Sequence, residues 1–355
     1  MDSSGTPLST TTPVGRIDFI RGPEASLQFA ELLRTCFSLA PGQDFLADFP
    51  VWSVDEESGA LRIGVFTNEG LVASACARVA HLRIATGVLP VCIIGGVATH
   101  PNARGLGYAS KLVSICNEWA TEHGAAASLL WGSEFDLYHR LGFDLCGSQI
   151  QLPIAGIGAA AGAIEQGWNP AIFHQQVARR EGLVIEPGDQ RWYTAHKNVL
   201  WFWNGPKDHP TAYVGLGRGI DLQGIIHEWG GEPSALRELL AGVAKVHPEA
   251  TILGSRELFR RHGILFDDAA SQYLCLAKVL DPQRLVMSYH PTVKVESTRW
   301  PASNGDATWE IQIGDRTTYL KDTDLPKFFF GPERNIPGFD LYLPLPLWVW
   351  GLDAA

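Results

Sequence analysis

Residues Gly95 to Ala109, Gly-Gly-Val-Ala-Thr-His-Pro-Asn-Ala-Arg-Gly-Leu-Gly-Tyr-Ala, leave the chain few ways to fold around them. The apolar, β-branched run Val91 to Ile94 leads in and predicts a buried strand. Pro101 ends that strand, because proline has no N–H to offer a ladder. Gly105 and Gly107 follow. From Leu106 onward, Ala109, Leu112, Val113, Cys116 and Ala120 recur at three-and-four spacing, which predicts a helix with one apolar face. The segment therefore reads strand, glycine loop, helix N-terminus. The unpaired N–H groups and the dipole of such a terminus attract phosphate. Glycine at 105 and 107 lets a diphosphate approach the backbone, and Arg104 adds a fixed positive charge. An ordinary strand-to-helix turn has the same outline, so the loop alone leaves both readings open.

A chain of 355 residues is long for one small domain, and about two or three units are expected. No apolar run approaches the ~20 residues a membrane helix needs, so no membrane partner is expected. The first 14 residues, rich in Ser, Thr and Pro, have no positive or apolar leader region and predict a disordered tail. Six cysteines are scattered without a Cys-x-x-Cys pair, which suits reduced core residues and a cytoplasmic protein. Eleven histidines form no cluster at ligand spacing, so no metal site is expected. A net charge of −10 argues against nucleic acid. It suits a cationic small substrate, and equally a solvated acidic surface.

Taken in order, Arg16 to Arg21 reads as a strand, Pro23 to Phe37 as a helix, and Phe45 to Trp52 as a short helix with its exit loop. Leu61 to Phe66 and Leu71 to Ile84 predict a hairpin about Asn68-Glu69-Gly70. After the strand and helix already described come a strand at Ala127 to Trp131, a short helix at Phe135 to Leu141, and Phe143 to Leu152, expected to close the sheet. Ile154 to Gly167 reads as a linker. Hairpin, helix and strand then recur through Ala212 to Phe266, with a turn at Arg218-Gly219-Ile220-Asp221, which suggests an internal repeat. In that repeat Trp229-Gly-Gly-Glu-Pro233 stands where the first copy has Arg104 to Gly107, and its carboxylate would repel a diphosphate. Gly215-Leu-Gly-Arg-Gly219 lies in a hairpin and does not open a helix, so it is rejected as a nucleotide loop. The aromatic C-terminus, including Trp348 and Trp350, is expected to dock. The fold class expected is mixed-sheet α/β (α+β).

Val97 to Ala109 resembles motif A of the GNAT acetyltransferase superfamily, and Tyr138-His-Arg-Leu-Gly-Phe143 resembles its motif B, in the family's order and spacing. Asn102 departs from the Gln or Arg usual there. The resemblance implies tandem GNAT folds. It places a catalytic unit at 15–152, a degenerate second unit at 153–280, and a small α+β region at 281–355 resembling a shortened sterol-carrier domain. That three-part layout is similar to the enhanced-intracellular-survival (aminoglycoside acetyltransferase) branch, which tends to form homo-oligomers. The resemblance further implies acetyl-CoA as co-substrate, held by Val97, Ala98, Thr99, Arg104, Gly105, Leu106, Gly107, Tyr108 and Ala109. A bulged strand at Gly96 to Thr99 would polarise the thioester. Tyr138 would be the general acid, with His139 pointing away. For the base there are two candidates: Glu134, which could instead cap the following helix, and, by resemblance to the branch, the carboxylate of Ala355. Phe37, Phe45, Phe49 and Trp52 fall where GNAT folds build the acceptor pocket, and are equally ordinary core residues. The activity implied is acetyl transfer to a primary amine of a small cationic acceptor; the alternative is a non-catalytic acyl-CoA-binding or sensing protein.

Overall fold

The computed structural model describes residues 15–53, 59–157, 162–185, 190–265, 271–301, 307–332 and 337–354; the expected tail 1–14 lies outside them. The chain opens with β1 (Arg16–Phe19), α1 (Gly22–Cys36), α2 (Phe45–Asp48), β2 (Leu61–Thr67), β3 (Gly70–Ile84), β4 (Gly87–Thr99), α3 (Tyr108–Glu122), β5 (Ala127–Leu130), α4 (Phe135–Arg140) and β6 (Asp144–Cys146). It continues through β7 (Gln149–Pro153), β8 (Glu165–Gln166), α5 (Pro170–Gln175), β9 (Gly182–Leu183), α6 (Gln190–Ala195), β10 (Leu200–Asn204), β11 (Ala212–Arg218), β12 (Asp221–Gly231), α7 (Pro233–Val246), β13 (Thr251–Gly254) and α8 (Arg256–Arg261). It ends with β14 (Ser271–Gln272), β15 (Cys275–Val279), α9 (Pro282–Tyr289), β16 (Val295–Trp300), β17 (Thr308–Ile313), β18 (Arg316–Lys321) and α10 (Leu325–Phe330). The architecture is mixed α/β, as expected. Both hairpins, the turn at 218–221 and the helix at 233–246 stand where the sequence places them.

The first sheet runs β1-β2-β3-β4-β5-β15-β6, with β9 beside β3, and is sandwiched. Alternate residues of β4 face opposite layers. Val91 and Ile93 meet Phe29, Leu32 and Leu33 of α1, whereas Cys92 and Ile94 meet Leu112, Val113, Cys116 and Ala120 of α3. The α1 layer is continuous with the C-terminal region: Leu285 and Val286 of α9 and Phe328 and Phe329 of α10 are buried in the same cluster. The apolar faces of those helices are thus committed to the first sheet.

The second sheet runs β14-β7-β13-β12-β11-β10-β8, with Leu236, Leu239, Leu240 and Val243 of α7 buried against it. Its composition corrects part of the expectation that 143–152 closes the first sheet: β6 does end that sheet, but β7 does not belong to it. β7 pairs with β13, Ile252 opposite Leu152, and so belongs to the second sheet. Its place in the first sheet is taken by β15, which pairs antiparallel with β5 on one side and β6 on the other. The two units therefore exchange a strand. Part of the expected linker, Glu165–Gln166, is an edge strand on β10.

The chain end is docked, as its aromatics suggest. Leu345 N–H donates to Phe329 O at 2.7 Å, and Tyr289 Oη donates to Pro346 O at 2.6 Å. Trp350 is buried edge-on against Trp229, with ring centroids 5.6 Å apart. All six cysteines are unpaired; five are buried and Cys36 is half-buried. Among the described residues no helix is long and apolar enough to cross a membrane.

Candidate active site

The site starts from an irregularity in β4. Ser74 pairs with Ala98 and Cys76 with Gly95, so two steps along β3 face three along β4. The extra residue makes a bulge. Gly96 accommodates it at φ +58, and Ser74 Oγ donates to Gly96 O at 2.8 Å. On its other side β4 pairs with β5 only from Val91 to Ile93. The two parallel strands then splay, and beyond Ile93 the β5-facing edge of β4 has no strand partner among the described residues. Val97, Ala98 and Thr99 line the opening. Trp52 backs it from the core, and a Cβ on Gly95 would stand 2.6–2.8 Å from its ring. Gly95→Ala is therefore expected to lose about 1–3 kcal/mol through overpacking, read as a lower thermal midpoint.

From Thr99 the chain enters a short 3-10 turn at Pro101–Ala103, capped by His100, whose Nδ1 accepts from Asn102 N–H at 3.3 Å. Gly105 and Gly107 then take φ of +80 and +76. No atom lies within 4 Å of where a Cβ would stand on either. Their backbone faces open space of the kind a diphosphate would fill, at the N-terminus of a fifteen-residue helix. Arg104, Gly105, Gly107, Tyr108 and Ala109 line the cleft. Leu106 does not: the helix begins at Tyr108, two residues later than the apolar spacing suggests, and Leu106 stays 45% exposed in the loop. The positive φ at Gly107 holds the chain out of helix until that point.

Tyr138 sits on α4 with its ring buried edge-on against Phe143, at 6.0 Å and an interplanar angle of 67°. Gly132 leaves room for it, since a Cβ there would stand 2.9 Å from the ring. Burial, with the Glu134 carboxylate adding to it, pushes its phenol up to about 12, so the hydroxyl keeps its proton. Glu134 occupies the N-cap position of α4 but makes no side-chain cap hydrogen bond. Both residues line the same cleft of about 830 Å3 as the glycine loop. His139 is exposed. Ala355 lies outside the described residues.

Phe37, Phe45 and Phe49 form a continuous wall of the cleft, stacked at 4.9 and 4.5 Å. Trp52, grouped with them in the sequence, is instead a core residue with no exposure. The second unit completes the wall through the tip of its β11–β12 hairpin: Arg218, Ile220 and Asp221 all line the cleft. Asp48, buried on α2, accepts from Ile220 N–H at 2.8 Å and from Asn198 Nδ2 at 2.6 Å. Gly219 fits beside it only without a side chain, since a Cβ would stand 2.2 Å from the carboxylate. Arg218 lies over the Phe49 ring at 4.1 Å, and its guanidinium is bidentate to Asp221 at 2.8 and 2.6 Å. Its Nη1 donates to Ala354 O at 2.5 Å and to Gly351 O. The turn at 218–221 is legible in the sequence, whereas its place in the site is not, because that depends on how the two units dock.

The corresponding opening in the second unit is filled. β12 and β13 pair only at Ile225 and Ile226. Beyond that, Trp229 spans the gap, its Nε1 donating to Leu253 O at 2.6 Å and its ring stacked on Phe259 at 5.5 Å. Trp350 packs against its edge. Glu232 takes the N-cap of α7, ahead of Pro233. Among the described residues no group of three or more His, Cys, Asp or Glu is placed to hold a metal ion.

Residues 22–146 match the family described as Acetyltransferase (GNAT) domain. No curated protein matches the chain. Among solved structures, the chain is similar to a conserved protein of unknown function from Enterococcus faecalis V583, at 15% identity and a TM-score of 0.60, with 92% of each chain covered. It is also similar to a GCN5-related N-acetyltransferase from Anabaena variabilis, at 14% identity and TM-score 0.57, covering 86% of this chain and 85% of that one. Eis1 from Mycobacterium abscessus matches at 13% identity and TM-score 0.54, again over 86% and 85%.

Proposed function

The chain is an acyltransferase carrying a GNAT acetyltransferase domain at residues 22–146, and from that premise we propose that it moves an acetyl group from acetyl-CoA to a primary amine in the cleft of the first unit. The observation that carries this reading is a single cleft joining the glycine loop, the bulged edge of β4 and the Tyr138 hydroxyl. In this reading the units are 15–152, 153–280 and 281–355, each of the first two lending the other a strand.

Acetyl-CoA, when bound, supplies an activated acyl group. Arg104 and the backbone of Gly105 to Ala109 hold its diphosphate. The strand edge at Gly96 to Thr99 presents backbone N–H groups toward the acyl oxygen, where charge develops as the amine attacks. Glu134 takes the amine's proton, directly or through water. The nitrogen bonds to the acyl carbon, the carbon–sulfur bond breaks, and Tyr138 donates its hydrogen to the departing sulfur. A phenol near 12 is a weaker acid than a thiol at ~8.5. Burial keeps Tyr138 protonated at neutral pH until the sulfur departs.

Tyr138→Phe tests the reading. The variant is expected to lower kcat by about 10²-fold, in the range of a lost acid group, while acetyl-CoA affinity by calorimetry stays within a few-fold. Unchanged turnover would remove Tyr138 from the chemistry. Absence of thiol release with every amine, despite tight acetyl-CoA binding, would favour the sensing role instead.

A further inference from the structure

Building on the acyltransferase reading, we propose that the acceptor is an apolar monoamine, one ammonium on an aryl or branched-alkyl body, and not a polycation. The part of the cleft outside the glycine loop, the splayed strands and α4 is the part left for the acceptor. It is walled by the three stacked rings of Phe37, Phe45 and Phe49, by Leu39, and by Ile220 from the second unit. Such a wall gains from burying carbon, while its ring faces are largely taken, Phe45 being stacked on Phe37 and Phe49 and Phe49 lying under Arg218.

The charges in the cleft point the same way. Outside the glycine loop and α4 with its N-cap, the charged residues lining the cleft are Arg218 and Asp221. Asp221 is already bidentate to Arg218, which leaves Glu134 as the carboxylate not engaged by an arginine among the described residues. A monoamine needs one such group. Each further ammonium of a polyamine or amino sugar would lose water beside Arg218 or phenyl rings without a counter-charge, which is unfavourable. The net −10 of the whole chain is therefore carried elsewhere than in the acceptor wall.

The test compares phenethylamine with spermidine on the full chain, by thiol release from acetyl-CoA and by calorimetric binding of each amine to the CoA-loaded protein. The expected kcat/KM is at least ten-fold higher for phenethylamine. Phe37 is 44% exposed, so its substitution leaves folding intact. Phe37→Ala should raise the phenethylamine KM about ten-fold with kcat little changed, and Phe37→Glu should shift the preference toward spermidine. A preference for spermidine in the unaltered chain would overturn the proposal and leave the acyltransferase reading standing. Phenethylamine bound but not acetylated, with binding weakened by Phe37→Ala, would uphold the subsite and overturn the transferase reading. Neither bound nor acetylated, phenethylamine would overturn the proposal.

Discussion

Residues 15–152 produced alone will show no cooperative unfolding transition, although they span the whole matched domain. The cut leaves β5 and β6 without the strand that lies between them. β15 pairs at four positions with β5 and three with β6. It buries Leu276 and Val279 at 3% exposure each. Trp131 Nε1 also loses Leu274 O, 2.9 Å away, and Leu141 O loses the Lys278 ammonium at 2.6 Å. Two aliphatic side chains at ~1.5–3 kcal/mol each and a ladder on both flanks at ~1 kcal/mol per bond together approach the ~5–15 kcal/mol that holds a whole domain. The same fragment strands β7, with Ile150, fully buried in the intact chain, exposed to water. Cys146 and Cys275 lie directly opposite each other, so a two-residue turn such as Asn-Gly suits a hairpin joining β6 to a grafted β15. That graft, replacing β7, is expected to restore a sharp thermal transition by circular dichroism. A sharp transition in the ungrafted fragment would show that the exchange contributes little.

The exchange was not legible in the sequence, and the reason is physical. Gln-Ile-Gln-Leu-Pro at 149–153 alternates and Cys-Leu-Ala-Lys-Val at 275–279 is a nearly continuous apolar run, and either pattern fits a short strand of either sheet. Which partner each takes is decided by pairing across about a hundred residues or more, where local periodicity carries no information. By contrast, the glycine loop was legible because its constraints are local: positive φ at Gly105 and Gly107 and a proline that ends the strand. The hairpin at Arg218 to Asp221 lay between these cases. Its turn was readable from four residues, but its seat on Asp48 and over Phe49 was not, because that contact joins elements 170 residues apart. Trp52 and Phe49 show the same limit at close range. Three positions apart and both aromatic, one backs Gly95 in the core and the other faces the cleft.

Arg180→Met will cost the chain about 3–5 kcal/mol near neutral pH, the usual penalty for removing one partner of a buried ion pair. Arg180 joins Glu228 of β12, with which it is in direct contact, to Asp353 near the chain end at 3.3 Å. It also lies over Trp350 at 4.5 Å. Both carboxylates are fully buried. Burial favours the neutral acid of Glu228, but Arg180, helped by His227, outweighs it and brings the carboxyl down to about 2. Burial raises Asp353, and Arg180 offsets this only in part, with Glu228 repelling it. The sign of the pH effect follows. A carboxyl lowered on folding stabilises above its unfolded value, so the intact chain keeps Glu228's contribution down to about pH 4.5 and loses it toward pH 2. With Arg180 gone, burial raises the carboxyls instead. Their contribution is then present at low pH and lost as pH rises, and the gap between variant and parent should narrow steadily from pH 7 to pH 4. Asp353→Asn separates charge from shape. The amide still accepts from Tyr193 Oη, which contacts Asp353 Oδ1, and removes a charge that burial disfavours, so its effect near pH 7 should stay within about 1 kcal/mol. Denaturant midpoints of the three proteins at pH 4, 5.5 and 7 read all of this. An Arg180→Met deficit that does not change with pH would mean that lost packing on Trp350, and not the unpaired charge, accounts for it. Because Leu352 N–H donates to Glu228 Oε1 at 2.9 Å and Arg218 holds the next turn of the chain end against Phe49, the same variant should also raise the acceptor KM while leaving acetyl-CoA affinity unchanged.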